Sequence, residues 1–184
     1  MLRFLIVLCF SLMLNACSDH QAERVHFNGT DVSNAEYAKD FDLTDHLGEP
    51  RRLADYKGKL VLVFFGYTHC PDVCPTTLTD MAKVMKLLGA QREKVQVLFI
   101  TLDPDRDTRD VLAKFVPSFD ATFVGLYGSS AQIDKVANDF KVFHERKNTA
   151  GAESYSIDHS AGTYVYDQAG KLRLYFKYGQ KNCR

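Results

Sequence analysis

The strongest constraint on the fold of this chain is an unbroken apolar run at residues 60–65, Leu-Val-Leu-Val-Phe-Phe. A strand without polar alternation is covered on both faces, as the strands of a largely parallel sheet are. Further buried strands are predicted at 95–102 and 123–127, and segments with helical spacing of apolar residues lie at 75–88, 108–116 and 129–140. This alternation predicts an α/β domain whose central sheet has helices on both faces.

A hairpin is predicted at each end of this alternation. Residues 41–53 are interrupted by a turn at 46–50, and residues 163–176 are interrupted by a turn at 168–170. Because antiparallel strands then join the parallel ones, the sheet is expected to be mixed, with the first hairpin as an N-terminal extension. His46, at the tip of that hairpin, is expected to be structural or merely exposed.

The composition excludes several classes of function. The chain has 184 residues, 46% apolar and 25% charged, which suffices for the core of one domain and excludes intrinsic disorder. Its 23 basic residues balance 23 acidic ones, which argues against nucleic acid as the main partner, because phosphate binding needs a basic face. The only long apolar run lies at the extreme N-terminus, which excludes a polytopic membrane protein.

The first sixteen residues have the pattern of an export signal. Arg3 precedes an apolar stretch at 4–14, and the tetrapeptide Leu-Asn-Ala-Cys at 14–17 resembles the lipobox of bacterial lipoproteins. The resemblance implies a signal peptide over residues 1–16 and a lipid on Cys17, which anchors the domain to a membrane of the bacterial cell envelope, facing the periplasm or another extracytoplasmic side. The alternative is an uncleaved anchor with an incidental cysteine.

Residues 17–40 are predicted to form a lipidated N-terminus and a polar tether, followed by the folded domain over residues 41–184. His20 and His26 of the tether are expected to be solvated histidines, with metal binding as the alternative. Cys183 is expected to be incidental, with pairing between chains as the alternative.

The most informative motif is segment 66–75, Gly-Tyr-Thr-His-Cys-Pro-Asp-Val-Cys-Pro, where a buried strand ends and a helix begins. α/β folds place their chemistry at this edge of the sheet. A helix N-terminus carries about half a positive charge and favours thiolate over thiol. Cys70 and Cys74 are therefore expected to be nucleophilic or metal-binding sulfurs.

The spacing of the two cysteines leaves both a metal site and a disulfide open. Residues four apart on a helix have Cβ atoms about 5–6 Å apart, whereas a relaxed disulfide has about 3.8 Å between them. Two sulfurs that each bind one metal at about 2.3 Å lie roughly 4 Å from each other. A metal site therefore fits at least as well as a disulfide, which requires Cys70 to lie in the loop before the helix.

A metal bound by two thiolates needs a third ligand, and three histidines are candidates. His69 adjoins Cys70, so its side chain is expected to diverge from the metal. His144 lies in a predicted strand, where an exposed or hydrogen-bonded histidine is the default expectation. His159 lies in a predicted loop at 157–162, immediately before the next strand, and is the strongest candidate.

Three motifs together resemble those of the Sco/SenC family of copper proteins, namely segment 66–75, Leu-Asp-Pro-Asp-Arg-Asp-Thr at 102–108, and Asp-His-Ser-Ala-Gly-Thr-Tyr-Val at 158–165. The similarity spans about residues 36–178 and implies a thioredoxin-like fold with copper, Cu(I) or Cu(II), bound by Cys70, Cys74 and His159. The family serves the assembly of the binuclear copper centre of cytochrome c oxidase, by metal delivery, by thiol reduction, or both. The implied partners are the copper-bearing subunit of the oxidase and other copper chaperones or thiol reductants.

The residues themselves also favour copper. Two sulfurs and one imidazole suit Cu(I), Cu(II) and zinc, but no glutamate motif for a general base accompanies them, and copper gains from soft sulfur ligands. Asp103, at the end of the second buried strand, is expected at the same edge of the sheet. There it orients His159 or tunes the thiols, while pairing of Asp103 with Arg106 or Arg109 is equally open.

The chain departs from the family pattern after its last strand. Related proteins continue with a C-terminal helix that covers the sheet, whereas this sequence stops at Arg184. Leu172, Leu174 and Phe176, or their alternates, are then expected to form an exposed apolar patch.

A second function uses the same cysteines without a metal. In a membrane-tethered thiol–disulfide reductase or peroxidase, Cys70 attacks the substrate and Cys74 resolves the mixed intermediate. Such an activity has no use for His159, so the histidine separates the two hypotheses.

Overall fold

The computed structural model describes residues 28–148 and 155–180, in which ten β-strands and three α-helices occur. The strands are β1 (Thr30–Asp31), β2 (Leu43–Asp45), β3 (Pro50–Arg51), β4 (Leu60–Gly66), β5 (Val95–Thr101), β6 (Val124–Tyr127), β7 (His144–Asn148), β8 (Tyr155–His159), β9 (Gly162–Tyr166) and β10 (Leu172–Lys177). The helices are α1 (Val73–Leu87), α2 (Arg109–Phe115) and α3 (Ser130–Asp139).

Several expectations concern residues outside this described part. They are the signal peptide over 1–16, the lipid on Cys17, the solvated histidines His20 and His26, and the thiol of Cys183. Among the helices of the described part, none combines the length and the apolar character that crossing a membrane requires.

Eight strands form one mixed sheet in the order β1-β10-β9-β4-β5-β6-β2-β3. Strands β4, β5 and β6 run parallel, and the remaining neighbours are antiparallel. The predicted α/β class with a central mixed sheet is therefore confirmed, as are the hairpins β2–β3 and β9–β10. Strands β7 and β8 form a separate antiparallel pair.

Helices cover both faces of the sheet, as its apolar central strands require. On β4, Val63 and Phe65 belong to the core beneath α3, to which Ile133 contributes. Phe64 belongs to the opposite core, which includes Leu78 of α1. Successive β4 residues thus alternate between two buried layers, and this accounts for the missing polar alternation in the sequence.

Helix α1 places its N-terminus at the end of β4. It begins at Val73, two residues before the predicted start at Pro75. Proline is tolerated there because the first N–H groups of a helix have no partner within the helix. The helix ends at Leu87, and Gly89 follows with φ of +53°, a conformation that favours glycine at helix ends.

The polar segment before residue 41 packs on the domain in its described part. Strand β1 pairs with β10 along the edge of the sheet. Ala38 is 1% exposed; its backbone N–H donates to the carbonyl of Asp139, and its own carbonyl accepts from the hydroxyl of Tyr166. Residues 28–40 thus differ from the expected tether, and the packed domain begins before residue 41.

The apolar side chains of β10 are partly covered. Leu172 is buried, whereas Leu174 and Phe176 are partly exposed. Phe176 packs on the backbone of Gly29, where a Cβ atom would lie 2.9 Å from the ring. The N-terminal segment therefore covers some of the apolar surface expected at this strand, and residues 181–184 lie outside the described part.

Candidate metal centre

Cys70, Cys74 and His159 come together at the edge of the sheet where β4 ends. Their ligand atoms all lie within 4.8 Å of one another. The Nε2 atom of the imidazole lies 3.6 Å from the sulfur of Cys74. Two segments distant in sequence, the loop with the first turn of α1 and the end of β8, thus supply one donor set.

The two sulfurs occupy different positions relative to α1. Cys70 lies in the loop before the helix and is partly buried, while Cys74 lies in the first helical turn and is fully buried. The backbone N–H of Cys74 donates to the sulfur of Cys70 at 3.4 Å. Both cysteines are free thiols here, and the loop position of Cys70 is the one that a disulfide with Cys74 requires.

Gly66 provides the space for the Cys74 sulfur. A Cβ atom on Gly66 would lie 2.7 Å from that sulfur and 2.9 Å from the ring of Phe99. Carbon and sulfur do not approach so closely without displacement of one of them. Close packing beneath the site therefore requires glycine at position 66, the first residue of the 66–75 motif.

His159 is the last residue of β8, which corrects the predicted loop over 157–162. Its Nδ1 atom lies 3.0 Å from the carbonyl oxygen of Ser160. Since a carbonyl only accepts, this contact assigns the proton to Nδ1 and leaves the lone pair of Nε2 directed at Cys74. The ring also meets Tyr67 and Phe64 edge-on, at centroid distances of 5.9 Å and 6.5 Å.

Burial controls the protonation of the donors. Desolvation raises the pKa of the Cys74 thiol far above its usual range, and the nearby Cys70 sulfur and Asp107 carboxylate act in the same direction. The expectation that the helix N-terminus favours a thiolate is therefore wrong for Cys74 in the metal-free protein. Burial also lowers the pKa of His159, although the Ser160 carbonyl opposes that change, so the imidazole is neutral and able to bind a metal.

The other histidines considered from the sequence lie outside this cluster. His69 is exposed and contacts the hydroxyl of Thr68 through Nδ1 at 3.1 Å. His46 is buried, and its Nδ1 atom accepts from the backbone N–H of Gly125, which is the structural role that was expected. His144 lies directly opposite His159 in the β7–β8 pair.

Asp103 makes contacts with residues other than the candidate ligands. Its Oδ2 atom accepts from Nε of Arg106 at 2.5 Å, and its Oδ1 atom accepts from the hydroxyl of Tyr155 at 2.6 Å. The ring of Tyr155 lies between two guanidinium groups, those of Arg106 and Arg146, at 3.5 Å and 3.4 Å. Asp103 was expected either to act on the donor set or to pair with an arginine, and the geometry supports its pairing with Arg106. The Ser160 carbonyl orients His159 instead.

Asp107 supports the cysteine loop, a role that the sequence reasoning missed. This fully buried carboxylate accepts from the backbone N–H of Thr68 at 2.9 Å and from its hydroxyl at 2.5 Å. The hydroxyl of Thr101, at the end of β5, donates to the same carboxylate. The available signal was the position of Asp107 within the 102–108 motif, but only the fold shows that the motif meets the cysteine loop.

Comparisons with known proteins agree on one family, since the sequence profile of SCO1/SenC matches residues 29–184. A SCO2-like protein of Rickettsia felis is 40% identical over 144 residues, which are 78% of this chain and 70% of that protein. Copper-bound ScoI from Bradyrhizobium japonicum is 39% identical, with a TM-score of 0.71, covering 75% of this chain and 87% of that one. Apo Sco1 from Thermus thermophilus is 38% identical, with a TM-score of 0.73, covering 84% of this chain and 89% of that one. These structural likenesses confirm the expected thioredoxin-like fold.

Proposed function

This chain belongs to the SCO1/SenC family, and on that premise we propose that it is a copper-binding assembly factor. Its cargo is one copper ion, bound by Cys70, Cys74 and His159. It delivers copper to the binuclear centre of cytochrome c oxidase or keeps the thiols of that centre reduced. The observation that carries the proposal is the convergence of two sulfurs and one imidazole nitrogen within 4.8 Å of one another.

The donor set suits copper better than the other common metals. Thiolate is a soft ligand that selects Cu(I), and imidazole binds both copper states, whereas hard cations require oxygen ligands. Zinc also accepts two sulfurs and one nitrogen, but copper binds such a site more tightly in the order of divalent metals. The Nδ1–H bond to the Ser160 carbonyl fixes the ring as ligating histidines are usually fixed.

The protein itself performs three tasks at this site. The buried sulfur of Cys74 gives up its proton to the solvent when the metal enters, because only the thiolate is a ligand. His159 supplies Nε2 without a proton transfer, since its proton already resides on Nδ1. Cys70 is partly exposed, so one edge of the donor set remains accessible to a partner protein.

Thiol chemistry and copper binding exclude each other at these sulfurs. A disulfide between Cys70 and Cys74 removes both thiolates from the donor set, so oxidation releases the metal. A reductant of the thiol class is therefore needed before copper enters. The partners we propose are the copper-bearing subunit of the oxidase, a copper chaperone that donates the ion, and such a thiol reductant.

The less favoured function for the same residues is that of a reductase or peroxidase without a metal role. It needs the two sulfurs, but it does not need an imidazole held 3.6 Å from the buried one. The raised pKa of Cys74 also disfavours the thiolate that this cysteine needs to resolve a mixed intermediate in the metal-free state.

The decisive experiment is a copper titration of the reduced full-length chain, followed by absorbance. We expect one copper per chain and a sulfur-to-Cu(II) charge-transfer band. The band should be lost in Cys70→Ser, Cys74→Ser and His159→Ala, and kept in the control His69→Ala. Absence of tight binding, or an unchanged spectrum in the three ligand variants, would contradict the proposal.

A parallel assay separates the metal-free alternative. Disulfide or peroxide turnover is measured in the presence of a copper chelator, with the same set of variants. Turnover that is lost in Cys70→Ser but unaffected in His159→Ala would favour a reductase or peroxidase. We expect no such turnover above that of Cys70→Ser.

We further propose that Cys17 carries a lipid and that the domain faces an extracytoplasmic compartment of the bacterial envelope. The lipobox-like tetrapeptide at 14–17 supports this, as does membership of a family with bacterial relatives. Mass spectrometry of the protein from membranes tests it: a diacylglyceryl group is expected on Cys17 and should be absent in Cys17→Ser.

A further inference from the structure

One histidine near the donor set has no role in the proposed copper site. In the antiparallel pair of β7 and β8, His144 lies directly opposite His159. Opposite residues of an antiparallel pair project from the same face of the strands. His144 therefore lies on the same side of the ribbon as the proposed ligand His159.

The hydrogen-bond pattern makes this a closely spaced pair. The neighbouring residues Phe143 and Ser160 are joined by a hydrogen bond from the backbone N–H of Ser160 to the carbonyl of Phe143. Hydrogen-bonded and non-hydrogen-bonded pairs alternate along an antiparallel ladder, so His144 and His159 form a non-hydrogen-bonded pair. Side chains in such pairs are the closer ones, with Cβ atoms about 4.5–5.5 Å apart.

The protonation of His144 leaves one nitrogen available to a metal. Its Nε2 atom lies 3.1 Å from a carboxylate oxygen of Asp134. In the neutral ring this contact assigns the proton to Nε2, which leaves the lone pair on Nδ1. A carboxylate that holds the remote N–H of a histidine is the usual support of a metal-binding imidazole.

The exposure of His144 connects the site with the solvent. Its side chain is 24% exposed and Asp134 is 64% exposed, whereas Cys74 has no exposure at all. Copper cannot be approached from the side of Cys74. His144, directly opposite His159, is partly exposed, and the adjoining Phe143 is 59% exposed.

We propose that His144 is a transient copper ligand through which the ion passes between the three-ligand site and an incoming partner. In this exchange a bond forms between Cu(I) and Nδ1 of His144, and the bond between Cu(I) and Nε2 of His159 breaks. The proton on each ring stays where it is, and the copper keeps its oxidation state. The inference rests on the proposed function, because it assumes that copper is the cargo.

The test measures the rate at which Cu(I) leaves the reduced full-length chain for bicinchoninate, a small Cu(I) chelator, in stopped flow. His144→Gln keeps an amide N–H that can donate to Asp134 but provides a poor Cu(I) ligand. His144→Met loses the contact with Asp134 but provides a thioether, which is a good Cu(I) ligand. His69→Gln is the matched control, because it removes another histidine beside the same donor set.

All four proteins are expected to bind one copper per chain with the same charge-transfer spectrum. The transfer rate should fall about tenfold or more in His144→Gln, the size of effect seen when a group that supports a metal site is lost. It should stay close to that of wild type in His144→Met and His69→Gln. An unchanged rate in His144→Gln overturns the inference. So does an equal fall in His144→Gln and His144→Met, because a good Cu(I) ligand at this position would then fail to support transfer.

The same experiment distinguishes the two proposals. A wild-type chain that binds no copper overturns the proposed function and this inference together. A wild-type chain that binds copper, with equal transfer rates in all four proteins, overturns only the role of His144.

Discussion

The Nε2 atom of His159 lies 3.6 Å from the sulfur of Cys74, although 85 positions separate the two residues in the sequence. Neither the first turn of α1 nor the end of β8 forms the site alone. The Ser160 carbonyl fixes the imidazole, and Gly66 leaves space for the sulfur. Copper binding should therefore respond to substitutions that touch no ligand atom directly.

Gly66→Ala is expected to weaken both the fold and the copper site. The added methyl group would lie 2.7 Å from the Cys74 sulfur and 2.9 Å from the Phe99 ring, so one of them must move. Overpacking of this kind costs about 1–3 kcal/mol of the free energy of unfolding. Urea unfolding measures the stability, and competition with a Cu(I) chelator measures the affinity.

Gly170→Ala is the control for Gly66→Ala. Gly170 has φ of +75° with nothing within 4 Å of its Cβ position, so alanine there is strained but meets no neighbour. It should lose about 1–2 kcal/mol through backbone strain and keep its copper affinity. If Gly66→Ala also kept wild-type affinity, the packing beneath Cys74 would have no part in copper binding.

Asp107→Ala should loosen the loop that carries Cys70. The substitution leaves the partly buried backbone N–H of Thr68 and the fully buried hydroxyl of Thr101 without their acceptor. An unsatisfied buried donor costs about 1–3 kcal/mol, and loss of a supporting contact lowers metal affinity roughly 10–100-fold. Unfolding and chelator competition report the two effects.

Asp105→Ala is the matched control for Asp107→Ala, because it removes another carboxylate of the same motif. Asp105 is 65% exposed and pairs with Arg146 at 3.4 Å on the surface. Exposed ion pairs contribute about 0–1 kcal/mol, so stability and copper affinity should stay near those of wild type. Equal losses in the two variants would show that the motif acts through its net charge and not through Asp107.

Asp45 should make part of the stability dependent on acid pH. Burial opposes its ionisation, but the backbone N–H groups of Glu49 and Leu47 and the guanidinium of Arg51 outweigh this and lower its pKa. A carboxyl whose pKa is lower in the folded state stabilises fully above its unfolded value of about 3.9. That contribution is lost as the pH falls through the folded pKa.

Asp45→Asn is therefore expected to be less stable than wild type at pH 7, with a difference that shrinks below about pH 4. Urea unfolding across this range measures it. The control is Asp42→Asn, whose carboxylate makes an exposed ion pair with Arg52 at 3.2 Å and contributes little at any pH. If the difference in the free energy of unfolding between Asp45→Asn and wild type grew as the pH fell, the lowered pKa assigned to Asp45 would be contradicted.

The sheet could be predicted from the sequence because its signal is local. The unbroken run in β4 indicates burial on both faces. Successive residues from Val61 to Phe65 belong to one core and then the other, and none of them is polar. The cysteines could be placed at the end of this strand for the same reason. His159 could be identified from its motif, but its position beside the two cysteines depends on the fold.

Only part of the ribbon that carries His159 could be predicted. A strand was expected at His144, where β7 begins, whereas a loop was expected where β8 ends. Strand β7 is His-Glu-Arg-Lys-Asn, with four exposed residues and no apolar alternation, so its pairing with β8 leaves no periodic signal. Ala38 is a similar case. Its burial and its φ of +52° depend on contacts with Asp139 and Tyr166, which are distant in sequence.

The protonation of Cys74 also depends on depth, which no local pattern encodes. Its position at a helix N-terminus predicts a lowered pKa, yet the sulfur has no exposure and desolvation raises the pKa instead. Asp103 shows the same limit. The sequence placed it at the correct edge of the sheet, but only the fold shows its contacts with Arg106 and Tyr155.

Copper should stabilise the reduced protein and should not stabilise the oxidised one. The three donors converge only in the folded state, so copper binds that state preferentially and raises the free energy of unfolding. At a free Cu(I) concentration about 100 times the Kd, the gain is about 2.7 kcal/mol, which corresponds to a rise of several degrees in Tm. Anaerobic calorimetry with a buffered Cu(I) source measures it.

Oxidation of Cys70 and Cys74 to a disulfide removes two of the three donors, so the same Cu(I) buffer should leave the Tm of the oxidised protein unchanged. His159→Ala retains both thiols, and its copper-induced rise in Tm should be smaller than that of wild type. His69→Ala removes a histidine outside the donor set and should show the full rise. An oxidised protein with the same copper-induced rise as the reduced one would mean that the metal is bound elsewhere, because a disulfide offers copper no thiolate.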